Sequence, residues 1–286
     1  MPPDTLSVIL RSASFIALFQ AAGMAIFLAM FGRPLEVSLS PMQRIAKLSA
    51  IAAGVLLVGH YALEAARMAG DMSGMLDPSL QMMAMHSARS TVLAVRLLGL
   101  IVLAMAVGRR GNVGTTLSVT GAGIVAASFM LTGHTIVNPQ RWVLAPLLMI
   151  HVMIVAFWFG ALLPLYLVCT RETPVIAGQV TDAFSRIALW LVPGILVAGF
   201  LLGLALIRHL AEFRAGYGIS LLAKFAGFAV LMGLAAVNKW RLGPAIAGGD
   251  ARVLASFRRS LAIEYVLICA VLSITAVMTT FYSPES

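Results

Sequence analysis

The sequence predicts an all-α, polytopic membrane protein with eight transmembrane helices in one bundle. Hydrophobic residues make up 60% of its 286 residues, whereas charged residues make up only 11%. The mean hydropathy of +0.97 is far above the level that a water-soluble domain of this size tolerates. No segment alternates polar and apolar residues with a period of two, so the pattern does not indicate a transmembrane β-barrel.

Eight apolar stretches are long enough to cross a hydrocarbon layer about 30 Å thick. We predict transmembrane helices at 6–31, 45–66, 90–108, 116–137, 143–168, 183–208, 218–238 and 257–282. The first stretch follows no basic segment and precedes no prompt small-residue cleavage site, so we expect a retained helix rather than a signal peptide. Because the connections are short, we expect a single transmembrane domain over residues 1–286.

Lysine and arginine are distributed unevenly between the two sides of the predicted bundle. The connections on one side hold 12 of the 20 basic residues: Arg33, Arg44, Lys47, Arg109, Arg110, Arg171, Arg186, Lys239, Arg241, Arg252, Arg258 and Arg259. The opposite side and the helices that open onto it hold the other eight: Arg11, Arg67, Arg89, Arg96, Arg141, Arg208, Arg214 and Lys224. The positive-inside rule places this side in the cytoplasm and both termini on the outer side. The net charge of +9 therefore belongs mostly to loops at the membrane surface, and we expect the lipid bilayer, not nucleic acid, as partner.

Under this orientation all five histidines fall in the outer half of the protein. They are His60, His86, His134, His151 and His209. Imidazole is a common ligand for soft and borderline metals. A cluster of histidines on one side of the membrane therefore predicts a loading site for a metal that arrives from outside.

The loop after the second predicted helix is rich in methionine. Its six methionines precede His86: Met68, Met72, Met75, Met82, Met83 and Met85. Thioethers are soft ligands that favour cuprous ion. The alternative is that these methionines simply pack, since methionine fills irregular gaps. Asp71, Gly74, Asp77 and Pro78 make the loop polar and rich in turns, which favours the metal-related interpretation.

His134 and His151 form the strongest predicted pair. A short turn joins their helices, so these helices should be antiparallel neighbours, with each histidine within about two turns of the loop. Met130 lies one helical turn from His134, and Met149 and Met153 flank His151. A buried histidine can instead be a hydrogen-bonded structural residue. Two histidines beside thioethers at similar depth favour a metal site made by His134, His151 and Met130.

Glu64 follows His60 by four residues, so the two side chains share one helix face. Metal or proton handling is one interpretation of this pair, in which His60 is a further metal ligand. The other is an interfacial ion pair between Glu64 and Arg67 that anchors the end of the helix. The residues do not decide between the two interpretations.

Two more ionisable residues fall inside predicted helices and complete a possible transport path with Glu64. Lys224 lies about two turns into the seventh helix and requires a partner or a water-filled cavity. Glu264 lies in the last helix and could relay protons or pass a cation inward. It could equally pair with Lys239, Arg241 or Arg259, and this structural pair is slightly favoured. No nucleotide-binding loop, CxxC pair or HExxH motif is present, so we expect no enzyme and no ATP-driven pump.

Six short motifs follow one another between residues 130 and 283. They are Gly133-His134, His151 with Trp158 and Gly160, Phe184-Ser185-Arg186, Tyr217-Gly218 with Lys224, Asn238-Lys239 with Pro244, and Arg259-Ser260 with Glu264. As a series they resemble the copper-resistance CopD family, although Ala161 stands where the family usually has a second glycine. The first 130 residues resemble the family only in helix count and in the methionine-rich loop.

The resemblance implies a bacterial inner-membrane protein that moves copper, usually from the periplasm to the cytoplasm, with a small periplasmic copper-binding partner, CopC. Both termini would then be periplasmic. We interpret the chain as a copper permease that captures Cu(I) at the outer loop and holds it at His134 and His151, with help from His60 and Met130. The ion would leave past the last two helices. The alternative is a b-type haem protein, in which paired histidines of neighbouring helices hold the haem.

Overall fold

The computed structural model describes residues 3–109, 111–132, 138–206, 216–246 and 250–282. Its α-helices are α1 (Pro3–Phe31), α2 (Leu39–Ala69), α3 (Pro78–Met85), α4 (Ala88–Ala106), α5 (Gly111–Ser128), α6 (Arg141–Arg171), α7 (Pro174–Leu206), α8 (Gly216–Val237), α9 (Gly243–Ile246) and α10 (Ala251–Phe281). Short 3₁₀ helices cover Met72–Leu76 and Phe129–Leu131, and a π-helix covers Asn238–Leu242.

Within these residues eight helices are long and apolar enough to cross a membrane, which confirms the predicted all-α class and number of spans. The helix ends differ most at α7, which begins at Pro174 and not at residue 183. Hydropathy marks only the part of a helix that lies in the apolar layer, whereas α7 starts earlier, with a proline in its first turn. The predicted end of the fourth span, residues 133–137, lies outside the described residues.

An even number of spans puts residues 3 and 282 on the same side of the membrane, which we call the termini side. Helices α1 and α6 are the two spans in which most residues of the apolar stretch are buried, whereas fewer than half of these residues are buried in each of the other six described spans. Helix α1 packs against α2, α4, α5, α6 and α10, so it contacts helices from both halves of the chain. The bundle is therefore assembled around its first helix.

Helices α1 and α6 cross at a pair of glycines. A Cβ atom added to Gly23 would lie 1.9 Å from the carbonyl oxygen of Ala156, and one added to Gly160 would lie 2.5 Å from the Cα of Gly23. Beside this contact, the Gln20 amide donates a hydrogen bond of 3.2 Å to the Gly160 carbonyl. Glycine at both positions lets the two backbones touch, as is common between membrane helices.

On the side opposite the termini, Glu172 ties the end of α6 to the turn between α1 and α2. Its carboxylate accepts hydrogen bonds from the backbone amides of Glu36, Val37 and Ser38 and from the Ser38 hydroxyl. Burial acts to raise the pKa of Glu172, but these donors outweigh it and hold the pKa below its ordinary value. The contact joins the far ends of α1 and α6.

We expect Gly160→Ala to destabilise the protein, because the added Cβ cannot fit without moving the α1 backbone. Overpacking of this kind costs about 1–3 kcal/mol. The measurement is the Tm of the purified protein in detergent. Gly123→Ala is the matched control, since nothing lies within 4 Å of a Cβ at Gly123. A Tm for Gly160→Ala equal to that of the control would contradict a tight crossing.

Candidate functional site

A cavity of about 430 Å³ lies between the helices in the termini half of the bundle. Its walls come from α1, α2, α4, α6, α7, α8 and α10. Four of the residues singled out from the sequence line it: His60, Glu64, His151 and Lys224. The fold therefore brings together ionisable side chains that lie as much as 164 positions apart in the numbering, from His60 to Lys224.

His60 on α2 faces the end of α1. Its Nε2 lies 3.1 Å from the Ser7 hydroxyl and accepts a hydrogen bond of 3.3 Å from Arg11 Nε. The same guanidinium donates from Nη1 to the Thr279 carbonyl of α10 at 2.6 Å. The His60 ring therefore joins α2 to α1 and, through Arg11, to α10. Its Nε2 lone pair is used by Arg11, which leaves Nδ1 as the atom that could bind a metal.

Glu64 lies one turn further along α2 and is only 3% exposed. It forms ion pairs with Arg89 of α4 and with Arg67, whose Nη1 is 3.7 Å from the carboxylate. Arg67 in turn binds Asp4 of α1 at 3.0 Å. The ion pair between Glu64 and Arg67, one of the two interpretations of the sequence, is present, and Arg89 extends it to a neighbouring helix.

Arg96 of α4 lines the same cavity one to two turns deeper than Arg89. Its Nε donates to the Ser128 hydroxyl at 3.1 Å, and its guanidinium lies 4.5 Å from the centre of the Phe129 ring. Both contacts come from the end of α5 and both are uncharged. Among the described residues Arg96 has no carboxylate partner within an ion-pair distance.

His151 of α6 faces α7 across the cavity. A Cβ atom added to Gly199 would lie 3.2 Å from its Cε1, so a glycine makes room for the ring. The ring atom Nδ1 is buried and, in the part of the chain that the structure describes, forms no hydrogen bond of normal geometry, although the backbone of Ile195 is close. His151 therefore presents a ring nitrogen that is available for a ligand.

Lys224 of α8 lines the same cavity as His151 of α6. It lines the cavity, as the sequence required of an ionisable residue at this depth. No ion pair or hydrogen bond joins its ammonium group to the residues that the structure describes. Within the described ranges its charge thus faces the open space of the cavity.

Glu264 of α10 lies beyond the end of the cavity that is farther from the termini side, and it is 2% exposed. The ion pair favoured from the sequence, with Lys239, Arg241 or Arg259, is wrong for the described residues. Glu264 accepts a hydrogen bond of 2.5 Å from the Asn238 amide, whereas Lys239 donates to Ser185 at 2.8 Å. The side chain of Trp158, which lines the cavity, lies within hydrogen-bonding reach of Glu264. Trp158 therefore connects the cavity to a buried carboxyl group.

The methionine-rich loop is partly helical and lies apart from the cavity. Asp77 begins α3 by accepting hydrogen bonds from the backbone amides of Ser79 and Leu80, and hydrogen bonds from Ser79 hold the pKa of Asp77 below its ordinary value. His86 ends this helix, with Nδ1 2.8 Å from the Met82 carbonyl. More than half of the side-chain surface is exposed at three of the methionines: Met82, Met83 and Met85. They do not fill a core.

The remaining predicted metal ligands either lie outside the described residues or do not line the cavity. His134 and His209 lie outside those residues, so the predicted pairing of His134 with His151 stays a prediction. Met130 lies in the 3₁₀ helix after α5, half-buried, and does not line the cavity. No group of three or more His, Cys, Asp or Glu side chains with metal-binding proximity occurs in the described ranges.

Sequence reasoning missed the arginines that surround the cavity. From the sequence, Arg11, Arg89 and Arg96 were counted only as basic residues that bear on the orientation of the chain in the membrane. Arg96 lies inside the predicted span 90–108, and an ionisable residue inside a span is a functional candidate by default. That rule could have identified Arg96, but nothing in the sequence shows that the three helices carry their arginines to one space.

Comparison with known proteins identifies relatives along most of the chain. The family described as Copper resistance protein D matches residues 178–278, and the Copper resistance protein D-like N-terminal domain matches residues 1–139. Copper resistance protein D of Pseudomonas syringae pv. tomato is 27% identical over 305 aligned residues, which cover 99% of this chain and 98% of the relative. No solved structure matches the chain. The similarity extends through the first half, where the sequence motifs gave little.

We expect Glu64→Gln to destabilise the protein strongly, because it leaves Arg67 and Arg89 in the bundle without a carboxylate. Removing one partner of a buried ion pair costs about 3–5 kcal/mol. The measurement is again the Tm in detergent, with Glu36→Gln as the matched control, since Glu36 is exposed in the turn between α1 and α2. Equal stability of the two variants would show that Glu64 does not hold the arginines.

Proposed function

Because this chain belongs to the copper-resistance D family, we propose that it carries copper across the bacterial inner membrane, from the periplasm into the cytoplasm. One observation of the fold supports this proposal most directly. His60 and His151, which lie on different helices, line one cavity between the helices of the bundle. An imidazole nitrogen beside a cavity, without a hydrogen-bond partner among the described residues, is suited to bind a borderline metal. The activity proposed is transport and not an enzymatic reaction.

Copper would first meet the methionine-rich loop on the periplasmic termini side. Its exposed thioethers suit Cu(I), and α3 holds several of them on a short, capped scaffold. A small CopC-like copper-binding protein of the periplasm is the proposed donor. The loop is accessible to such a partner because Met82, Met83, Met85 and the nearby Leu76 all expose most of their surface.

The central site would be built on His151. Its Nδ1 has no hydrogen-bond partner among the described residues, whereas the Nε2 of His60 already accepts a hydrogen bond from Arg11. We therefore assign the main role to His151, with His134 and Met130 of the preceding hairpin as proposed co-ligands and His60 as an accessory residue. Met149 and Met153, on either side of His151, are half-buried and pack on the core.

The inward path would continue from the base of the cavity to Glu264. Trp158 lines the cavity and lies beside the Glu264 carboxyl group, which is bound in turn by Asn238 at the π-helix after α8. π-Helical turns occur frequently at functional sites. A buried carboxyl group without an ion-pair partner among the described residues can exchange a proton or bind a passing cation, which is the role that we propose for Glu264.

A second candidate function, b-type haem binding, has one observation in its favour. The two histidines line a single cavity that also contains guanidinium groups, and these could bind the propionates of a haem. The absorption spectrum of the purified protein separates the two functions. A Soret band with reduced α and β bands would support haem, whereas their absence together with bound copper would support the permease.

We expect His151→Ala to abolish copper accumulation without reducing the amount of protein in the membrane. The physical reason is the loss of a cavity imidazole whose buried Nδ1 forms no hydrogen bond with the described residues. The measurement is uptake of copper into proteoliposomes that contain the purified variant. His134→Ala should have the same effect, and His60→Ala a smaller one, since His60 is held by Arg11.

His209→Ala is the control for these variants, because the sequence places His209 at a helix end; it lies outside the described residues. We expect nearly normal uptake from it. Normal uptake by folded His151→Ala and His134→Ala proteins would contradict the proposed central site. The outer loop or His60 and Glu64 would then have to carry the metal.

We expect replacement of Met72, Met82, Met83 and Met85 by leucine to weaken copper capture. Leucine keeps the volume and removes the thioether, so the fold should be retained while the copper concentration needed for half-maximal uptake rises. The control replaces Met30 and Met105, which are similarly exposed on other parts of the protein. Identical concentration dependence for both sets of variants would exclude capture by the loop.

A further inference from the structure

The cavity carries an excess of positive charge. Five basic side chains line it: Arg11, Arg67, Arg89, Arg96 and Lys224. Glu64 is the one carboxylate among the described lining residues, and Asp4 adds a second that binds Arg67 from outside the wall. Charges inside a membrane protein are costly unless they are paired or solvated. Among the described residues these two carboxylates neutralise Arg67 and Arg89, and Arg11 is bound at the end of α10, which leaves Arg96 and Lys224 to be considered.

Lys224 and Arg96 form no ion pair with the residues that the structure describes. Arg96 contacts a hydroxyl group and an aromatic ring, neither of which neutralises its charge. Lys224 forms no hydrogen bond or ion pair with described residues and faces the open space. Nδ1 of His151, which lines the same cavity as Lys224, is buried and also without a described partner. Among the described residues, Arg96 and Lys224 thus lack a carboxylate partner, and Nδ1 of His151 lacks a hydrogen-bonding partner. A ligand that enters the cavity could provide these partners.

The polar and apolar parts of the cavity lie at different depths. Helices α1 and α8 both run away from the termini side. On α1 the lining passes from Arg11 to Phe19, and on α8 it passes from Lys224 to Phe228 and Leu231. Residues eight positions apart on a helix are separated by about 12 Å. The cations therefore lie at the termini end of the cavity, and aromatic and aliphatic side chains line its deeper end.

The volume fits an organic ligand better than an ion with its water. A water molecule occupies about 30 Å³ in the liquid, whereas cavities for small organic ligands measure roughly 300–1,000 Å³. At about 430 Å³ the cavity falls in the second range. The volume, the positive charge and the apolar end of the cavity all favour an organic anion with an apolar part as the ligand.

We propose that the cavity binds an amphiphilic anion, whose carboxylate or phosphate group lies among Arg96, Lys224 and the neighbouring basic side chains. The apolar part of the ligand occupies the deeper end, beside Phe19, Phe228 and Leu231. This chemistry is shared by an anionic phospholipid of the termini-side leaflet and by a free long-chain acid. Guanidinium and ammonium groups are the side chains that bind such oxygens most strongly.

The test uses the full-length protein, purified in a neutral detergent, stripped of lipid and free of copper. Copper transport can therefore fail or succeed without affecting the result. The probes are phosphatidylglycerol, phosphatidylcholine, laurate and inorganic phosphate. Native mass spectrometry counts bound molecules, and the Tm is measured against probe concentration. We expect saturable binding of one molecule of phosphatidylglycerol or laurate, with a rise in Tm, and none of phosphatidylcholine.

Variants locate the binding site. Lys224→Gln and Arg96→Gln should each weaken binding at least about tenfold, since each removes a charge partner from a buried site. Arg96→Lys should retain most of it. Lys47→Gln is the matched control, because it removes one exposed charge on the opposite side of the protein. If Lys224→Gln does not fold, binding is measured with Lys224→Met and Arg96→Gln instead.

Binding of phosphatidylglycerol alone identifies a lipid as the source, and binding of laurate identifies a free acid. Four results overturn the proposal. They are the absence of saturable binding, equal binding of phosphatidylcholine, a Tm increase with inorganic phosphate as large as that with the amphiphiles, and unchanged binding by folded Lys224→Gln and Arg96→Gln proteins.

Discussion

The contact between the backbones of α1 and α6 at Gly23 and Gly160 is the constraint on which the rest of the bundle depends. Lipid tails are as apolar as leucine, so membrane helices gain little from apolar burial and rely on close packing. The two glycines provide that packing. Trp158, two residues before Gly160, is thereby placed at the base of the cavity, and His151, about two turns above it, faces the open space. A bulkier residue at either glycine would move both cavity walls.

The sequence predicted the number and order of the spans because apolar length is a direct physical requirement of the bilayer. It also predicted that Lys224 needs either a partner or a water-filled cavity, since a cation at that depth has few alternatives. The partner of Glu264 was predicted wrongly. Basic residues at the adjoining ends of the last two predicted spans suggested an ion pair, but the rotation of α8 and α10 about their axes brings Asn238 to the carboxyl group. Such rotations follow from packing, which hydropathy does not encode.

The arginines of the cavity also bear on the orientation of the chain. The smaller group of basic residues, which weakens the charge difference between the two sides, contains all five that line the cavity: Arg11, Arg67, Arg89, Arg96 and Lys224. The positive-inside rule concerns charges in loops and next to the ends of spans. Arg96 and Lys224 lie inside their spans, so they do not report on that preference. Setting these two residues aside enlarges the charge difference and strengthens the argument that the termini lie on the less basic side.

The positive charge of the cavity has a consequence for the proposed copper site. A cuprous ion at His151 would share the cavity with the Lys224 ammonium group, and like charges repel more strongly inside a protein than in water because the effective dielectric constant is lower. An anionic group between them would replace this repulsion by attraction. Copper and the anion would then each raise the affinity for the other by the same factor, because coupling between two binding equilibria is reciprocal. By themselves the arginines and Lys224 disfavour a metal cation in the cavity. With the anion bound, these basic side chains and a copper ion become compatible.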